Sequence, residues 1–104
     1  MKTPNQLKGE YCEKYVEAKL LSEGCTFRKN TKGGYDFIAS CPDGIKYVEA
    51  KSKNGKLTPN EKKFRDSAKS AGLRYEVVRC DISRLMNMDK RNVDTYFHNL
   101  SQLS

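Results

Sequence analysis

Tyr35-Asp36-Phe37-Ile38-Ala39-Ser40-Cys41-Pro42-Asp43-Gly44-Ile45-Lys46-Tyr47-Val48-Glu49-Ala50-Lys51 is the stretch whose reading decides the fold. Two runs rich in aromatic and β-branched residues, Tyr35 to Cys41 and Ile45 to Ser52, flank Pro42-Asp43-Gly44. Proline fixes φ there and glycine accepts a left-handed turn position, so a tight β-hairpin is expected. Each strand carries an acid in an otherwise apolar setting, Asp36 in the first and Glu49 in the second. Burying a carboxylate in a strand is costly unless a cation or hydrogen bonds compensate, so two of them on adjacent strands need a physical reason.

The register of that hairpin decides whether the acids meet. A three-residue Pro42-Asp43-Gly44 loop would set Cys41 opposite Ile45 and Asp36 opposite Ala50, and so send Asp36 to the face away from Glu49. A shared site therefore requires a different register, or a bulge at Asp36 of the kind the preceding Gly33-Gly34 would permit.

Working outward, Cys25 to Asn30 reads as a strand before the hairpin. Residues 4 to 23 read as a helix, with Thr3 as cap, Pro4 first in the helix, Gln6 as the capping-box partner and Gly24 as the stop. Its apolar residues fall on two stripes, Leu7, Tyr11, Ala18 and Leu21 on one and Cys12, Val16 and Leu20 on the other, so contact on two sides is expected. Glu13 lies beside the second stripe. After the hairpin, Thr58-Pro59-Asn60-Glu61 repeats the cap pattern and predicts a helix from Pro59 to Ala71, stopped at Gly72. Tyr75 to Cys80 reads as a fourth strand, and Val93, Tyr96, Phe97, Leu100 and Leu103 have the spacing of a C-terminal amphipathic helix. The expected order is α-β-β-β-α-β-α in one α/β domain spanning residues 1–104, without repeats or linkers.

Composition narrows the partners. Twenty Lys and Arg against thirteen Asp and Glu give a formal charge of +7, which favours a polyanion, with nucleic acid first. No apolar run approaches the roughly 20 residues of a membrane span, and no apolar block follows the N-terminal Met-Lys as in a signal peptide. A soluble, cytoplasmic protein is expected, with no membrane partner. Cys12, Cys25, Cys41 and Cys80 show no zinc-site spacing and are expected as reduced, partly buried thiols. The single histidine, His98, is expected on a helix surface without a catalytic role.

Two hard oxygen ligands on rigid strands suit Mg²⁺, which retains several waters and accepts a phosphate oxygen in its octahedron. An ammonium two residues from Glu49, on the same side of the strand, can orient a water or stabilise developing charge. Glu-x-Lys alone is a weak signal. Its weight comes from Asp36 upstream, the tight hairpin between them, and a helical Glu before both.

Asp36-Phe37-Ile38-Ala39 followed, thirteen residues on from the Asp, by Val48-Glu49-Ala50-Lys51 resembles the bipartite motif of the PD-(D/E)xK nucleases. Over residues 8 to 52 the pattern is most similar to archaeal Holliday-junction resolvases, whose first helix opens Lys-Gly-x-x-x-Glu. Those positions here are Lys8-Gly9-Glu10-Tyr11-Cys12-Glu13. The resemblance implies a restriction-endonuclease-like mixed sheet flanked by helices. It also implies metal ligation by Asp36, Glu49, the Ala50 carbonyl and Glu13, with Mn²⁺ as a substitute for Mg²⁺, and Lys51 as the catalytic lysine. Glu10 and Glu17, one helical turn either side, are the alternatives to Glu13. The chain departs from the pattern in three places: Tyr35 stands where many relatives have Pro, Asn60 and Glu61 stand where many have Gln, and the segment after Cys80 diverges from the resolvases.

Basic residues fall around this constellation. Arg28, Lys29 and Lys32 precede Asp36, and Lys53, Lys56, Lys62 and Lys63 follow Lys51, all read as candidate DNA contacts. The expected function is Mg²⁺-dependent hydrolysis of DNA phosphodiester bonds, at branched, Holliday-junction-like DNA. The rivals are a small nuclease acting on flaps, nicks or duplex ends, and a basic nucleic-acid-binding domain of the same fold without turnover. A homodimer would present two active sites for symmetric cleavage, whereas a monomer would favour nicking.

Overall fold

A computed structural model describes residues 2–103. The elements are α1 (Pro4–Ser22), β1 (Thr26–Lys29), β2 (Phe37–Cys41), β3 (Gly44–Ser52), α2 (Pro59–Ser70), β4 (Arg74–Cys80), a 3₁₀ turn (Leu85–Asn87) and α3 (Lys90–Ser101). The expected order holds, with the 3₁₀ turn added. Both helix starts follow their caps: Thr3 with Gln6, and Thr58 with Glu61, form reciprocal capping boxes, each with proline in the first turn. Gly24 and Gly72, at φ +80° and +75°, end the two helices.

The four strands lie in the order β1-β2-β3-β4, antiparallel through β3 and parallel between β3 and β4. The β3–α2–β4 crossover supplies the parallel pair, as such a connection requires a helix's length of chain. Alternation along the strands then sorts the two faces. Phe37, Ala39, Val48 and Val78 pack with Val16, Leu20 and Cys25 in one core. A second core holds Cys12 and Cys80 with Ile82, Leu85, Val93 and Phe97, joining α1 to α3. The Cys12-Val16-Leu20 stripe of α1 is thus the buried one, and of the other stripe only Ala18 is buried, while Leu21 is exposed.

On the opposite face, α2 has few apolar residues and is fixed by Phe64. Its ring meets Tyr35, Tyr47 and Tyr75 at centroid distances of 4.9, 5.2 and 5.9 Å. Gly34, at φ +93°, lies under the same ring, where a Cβ would come within 3.2 Å of Phe64. Only glycine satisfies both the dihedral and the space. The aromatic cluster therefore ties the loop before Asp36 to the helix after Lys51.

The cysteines correct the sequence reading. Cys12 pairs with Cys80 and Cys25 with Cys41, leaving no free cysteine among the described residues. Cys25 and Cys41 extend the β1–β2 ladder, since Thr26 faces Ser40, and their Cα atoms are 4.1 Å apart. Folding brings these thiols together across elements, which spacing along the chain does not disclose. No described helix is long and apolar enough to cross a membrane.

The Cys12–Cys80 bridge spans 68 residues, and closing so long a loop stabilises the folded state by about 4 kcal/mol on the chain-entropy account. Cys80→Ser should lower the unfolding free energy by about that amount, and reduction, which also opens Cys25–Cys41, by more, read from denaturant melts with and without reductant. Titration of unfolded, unreduced protein should find no free thiol. Four titratable thiols, or melts indifferent to reductant, would contradict the pairing.

Candidate active site

The hairpin resolves the register in favour of a shared site. Cys41 pairs with Gly44, so the loop contains only Pro42 and Asp43, and Phe37 pairs with Val48. Shortening the loop by one residue shifts the whole ladder by one, and Asp36 now follows in line with Glu49 instead of Ala50. The chain also bends there. Asp36 N–H donates to the Val48 carbonyl at 2.9 Å, one residue off the ladder, and Asp36 Oδ2 accepts from Ala50 N–H at 2.8 Å. The Asp36 side chain is thereby anchored to the backbone of the strand that carries Glu49 and Lys51.

Asp36, Glu49, Ala50 and Lys51 line one cleft of about 390 Å³ together with Asn5, Lys8, Gly9, Cys12, Glu13 and Ser52. Of the three helical acids considered, Glu13 is the one at this cleft. Glu10 is paired with Lys2 and Lys14, and Glu17 is partly buried, which raises its pKa. Glu13 is itself engaged, with Oε2 3.0 Å from Lys29 Nζ. Among the described residues no three His, Cys, Asp or Glu side chains converge as a ready-made metal cage. The sulfurs of Cys12 and Cys80 each lie 3.3 Å from the Lys51 carbonyl oxygen. Because disulfide sulfur carries no proton, this is packing beneath β3 and not a hydrogen bond.

Glu49 is 3 % exposed, and its Oε2 is buried with no hydrogen-bond partner. Burial first, then the neighbouring Glu61 and Asp36, push its pKa up to about 9. Asp36 is also raised, chiefly by burial, against the opposing hydrogen bond from Ala50. Glu61 behaves oppositely. Burial works against its charge, but bonds from Glu49, Lys51 and Thr58 N–H outweigh this and bring it down to about 2. Two neighbouring carboxyl groups thus divide into one that holds a proton and one that does not. Lys51 Nζ stands between them, 2.8 Å from Glu61 Oε1 and 3.8 Å from Glu49 Oε1. Tyr75, raised to about 12 by burial and the nearby acids, keeps its proton and directs it to the Gly34 carbonyl at 3.4 Å.

Glu61 is the site residue that sequence reasoning passed over as a helix cap. It performs both roles at once, closing the Thr58 capping box with one carboxylate oxygen while holding Lys51. The signal was its place in the helix directly after the lysine strand.

The candidate basic residues differ in their surroundings. Lys32 and Lys63 line a groove with Gly33, Gly34, Asn60, Phe64 and Ser67. Lys29 is paired with Glu13, Lys53 lies 4.0 Å from Asp81, and Arg28 lines a separate hollow with Ile38 and Ile45. Lys56 and Lys62 are exposed.

No family model matches the sequence, and no curated protein sequence matches it. A solved structure described as a VRR_NUC domain does match, covering 86 % of this chain and 92 % of its own, with a TM-score of 0.58 at 22 % identity. The chain therefore has the restriction-endonuclease-like fold, a mixed sheet flanked by helices. At that identity the likeness is one of fold.

The Glu49 shift sets a pH dependence. Because the folded pKa of about 9 exceeds the ordinary 4.5, the folded state retains a proton that the unfolded chain loses, so metal-free stability should decline as pH rises across that window. Glu61, shifted the other way, acts only below it. Glu49→Gln, whose amide can donate in place of the proton, should flatten the decline and melt above the wild type at alkaline pH. Parallel pH–stability curves for the two proteins would contradict this.

Proposed function

We propose that this chain is a divalent-metal-dependent endonuclease that hydrolyses DNA phosphodiester bonds. The observation carrying this reading is the pair of acids, Asp36 in the bend just before β2 and not within the strand as the sequence suggests, anchored on Ala50 N–H, and Glu49 on β3, buried with an orphaned oxygen beside Lys51. Such an arrangement is destabilising by itself and is relieved by a cation. The donor set fits Mg²⁺, with Mn²⁺ as substitute: Asp36 and Glu49 would hold it directly with the Ala50 carbonyl, and waters and a phosphate oxygen would complete the shell. Glu13 would join through water or after release of Lys29. When bound, the cation polarises the phosphodiester and lowers the pKa of a coordinated water.

The remaining work falls to the chain itself. Glu49 must give up its proton on binding the cation, and Glu61 lies beside it. Lys51, oriented by Glu61, presents an ammonium at the cleft that can position the attacking water or stabilise charge on the phosphate. Asp36 is kept from turning away by its bond to the β3 backbone. The net positive charge and the Lys32–Lys63 groove beside the site favour a polyanionic substrate. Branched DNA is the first substrate to test, on the resemblance of residues 8 to 52 to the resolvases.

Asp36→Asn and Glu49→Gln should each abolish Mg²⁺-dependent cleavage while leaving DNA affinity unchanged or slightly tighter, since each removes negative charge facing phosphate. Lys51→Ala should remove turnover with some loss of affinity. A panel of four-way junction, flap, duplex and single-stranded DNA, assayed for cleavage and binding, checks both points. Wild-type cleavage by both acid variants would place any nuclease activity elsewhere and favour a binding domain.

A further inference from the structure

Gly9 sits within α1 yet nothing in the protein accounts for it. Its φ is not among the positive ones, and a Cβ built there would meet no atom within 4 Å. Glycine is among the least favourable residues for a helix interior, because it adds backbone entropy to the unfolded chain and shields no backbone from water. A position that is neither strained nor crowded would be better served by alanine. The other glycines with open surroundings, Gly33 and Gly72, have positive φ to explain them.

What distinguishes Gly9 is its location. It lines the cleft that holds Asp36, Glu49 and Lys51, with Asn5 one turn before it and Cys12 and Glu13 one turn after. Along this face of α1 it is the one point where the cleft wall is bare helix backbone. Lys8 is exposed beside it and lines the same cleft. The space a side chain would fill is open on the protein's account, so the molecule that needs it is the one that enters the cleft.

Resting on the nuclease reading above, we propose that Gly9 is a substrate-positioning residue. It leaves room for the sugar–phosphate backbone of the DNA strand to lie directly against α1, with Lys8 meeting the phosphate next to the one at the acids. The phosphate between Asp36, Glu49 and Lys51 fixes the strand at one point, and the bare wall fixes its path on one side. A methyl group at position 9 stands in that path, while leaving the acids and Lys51 untouched.

The test is Gly9→Ala, for which stability and binding should move in opposite directions. Its melting temperature should rise by roughly 4 °C, as an exposed helix glycine replaced by alanine predicts. Its KM for labelled DNA with Mg²⁺, and its Kd with Ca²⁺ in place of Mg²⁺, should each rise about tenfold. Gly9→Val should raise both further. A Gly9→Ala protein that gains stability but keeps the wild-type KM and Kd overturns the inference. So does one whose melting temperature falls, since the glycine would then serve the fold. Wild-type protein in the same assay separates this failure from that of the nuclease reading: if the wild type neither binds nor cleaves DNA, both fall together.

Discussion

The hydrogen bond from Ala50 N–H to an Asp36 carboxylate oxygen, 2.8 Å long, holds the site together. It is available only because the β2–β3 loop has two residues, which brings Asp36 into line with Glu49. One residue more in the loop would turn every side chain of β2 over, sending Phe37 and Ala39 out of the core and Asp36 away from the cleft. Core packing and site geometry are therefore fixed by one constraint. The fully buried Phe37, Ala39 and Val48 make slippage costly, and the acids inherit that rigidity.

Around this hairpin the structure concentrates strain of an electrostatic kind. Glu49 and Glu61 share a single ammonium, that of Lys51, with the Asp36 carboxyl also close to Glu49, and the excess negative charge is accommodated by a proton on Glu49. The β3 strand is supported on both faces of the sheet. The Cys12–Cys80 bridge packs both sulfurs against the Lys51 carbonyl, and the aromatic cluster on Phe64 keeps α2, and with it Glu61, in place. Acids crowded this closely need such a scaffold, since repulsion would otherwise be relieved by movement.

Much of this was legible in the sequence. The element order, both capping boxes and both glycine stops follow from local chemistry, because Thr-Pro and Gly act within a turn of their own position. Asp36, Glu49 and Lys51 stood out because acids are rare in apolar strands. The register did not, because Pro42-Asp43-Gly44 is compatible with Gly44 in the loop or as the first residue of β3, and only packing of both strands selects between them. The aromatic cluster and the Cys12–Cys80 bridge escaped for a related reason: Phe64 and Tyr75 reach Tyr35 and Tyr47, and Cys80 reaches Cys12, only through the parallel crossover. Glu61 stood out only as a departure from the Gln of many relatives, and its helix-capping role explained its acid without pointing to Lys51.

Asp36 and Glu49 are proposed to hold a divalent cation, with Glu49 protonated until the cation arrives. Calorimetric titration of the metal-free protein with Mn²⁺, at neutral pH in buffers of different ionisation enthalpy, tests this directly. One cation should bind with release of about one proton, and Glu49→Gln should lose the proton release along with most of the affinity. Absence of binding, or binding in which the heat is the same in every buffer and Glu49→Gln is indistinguishable from wild type, would contradict it.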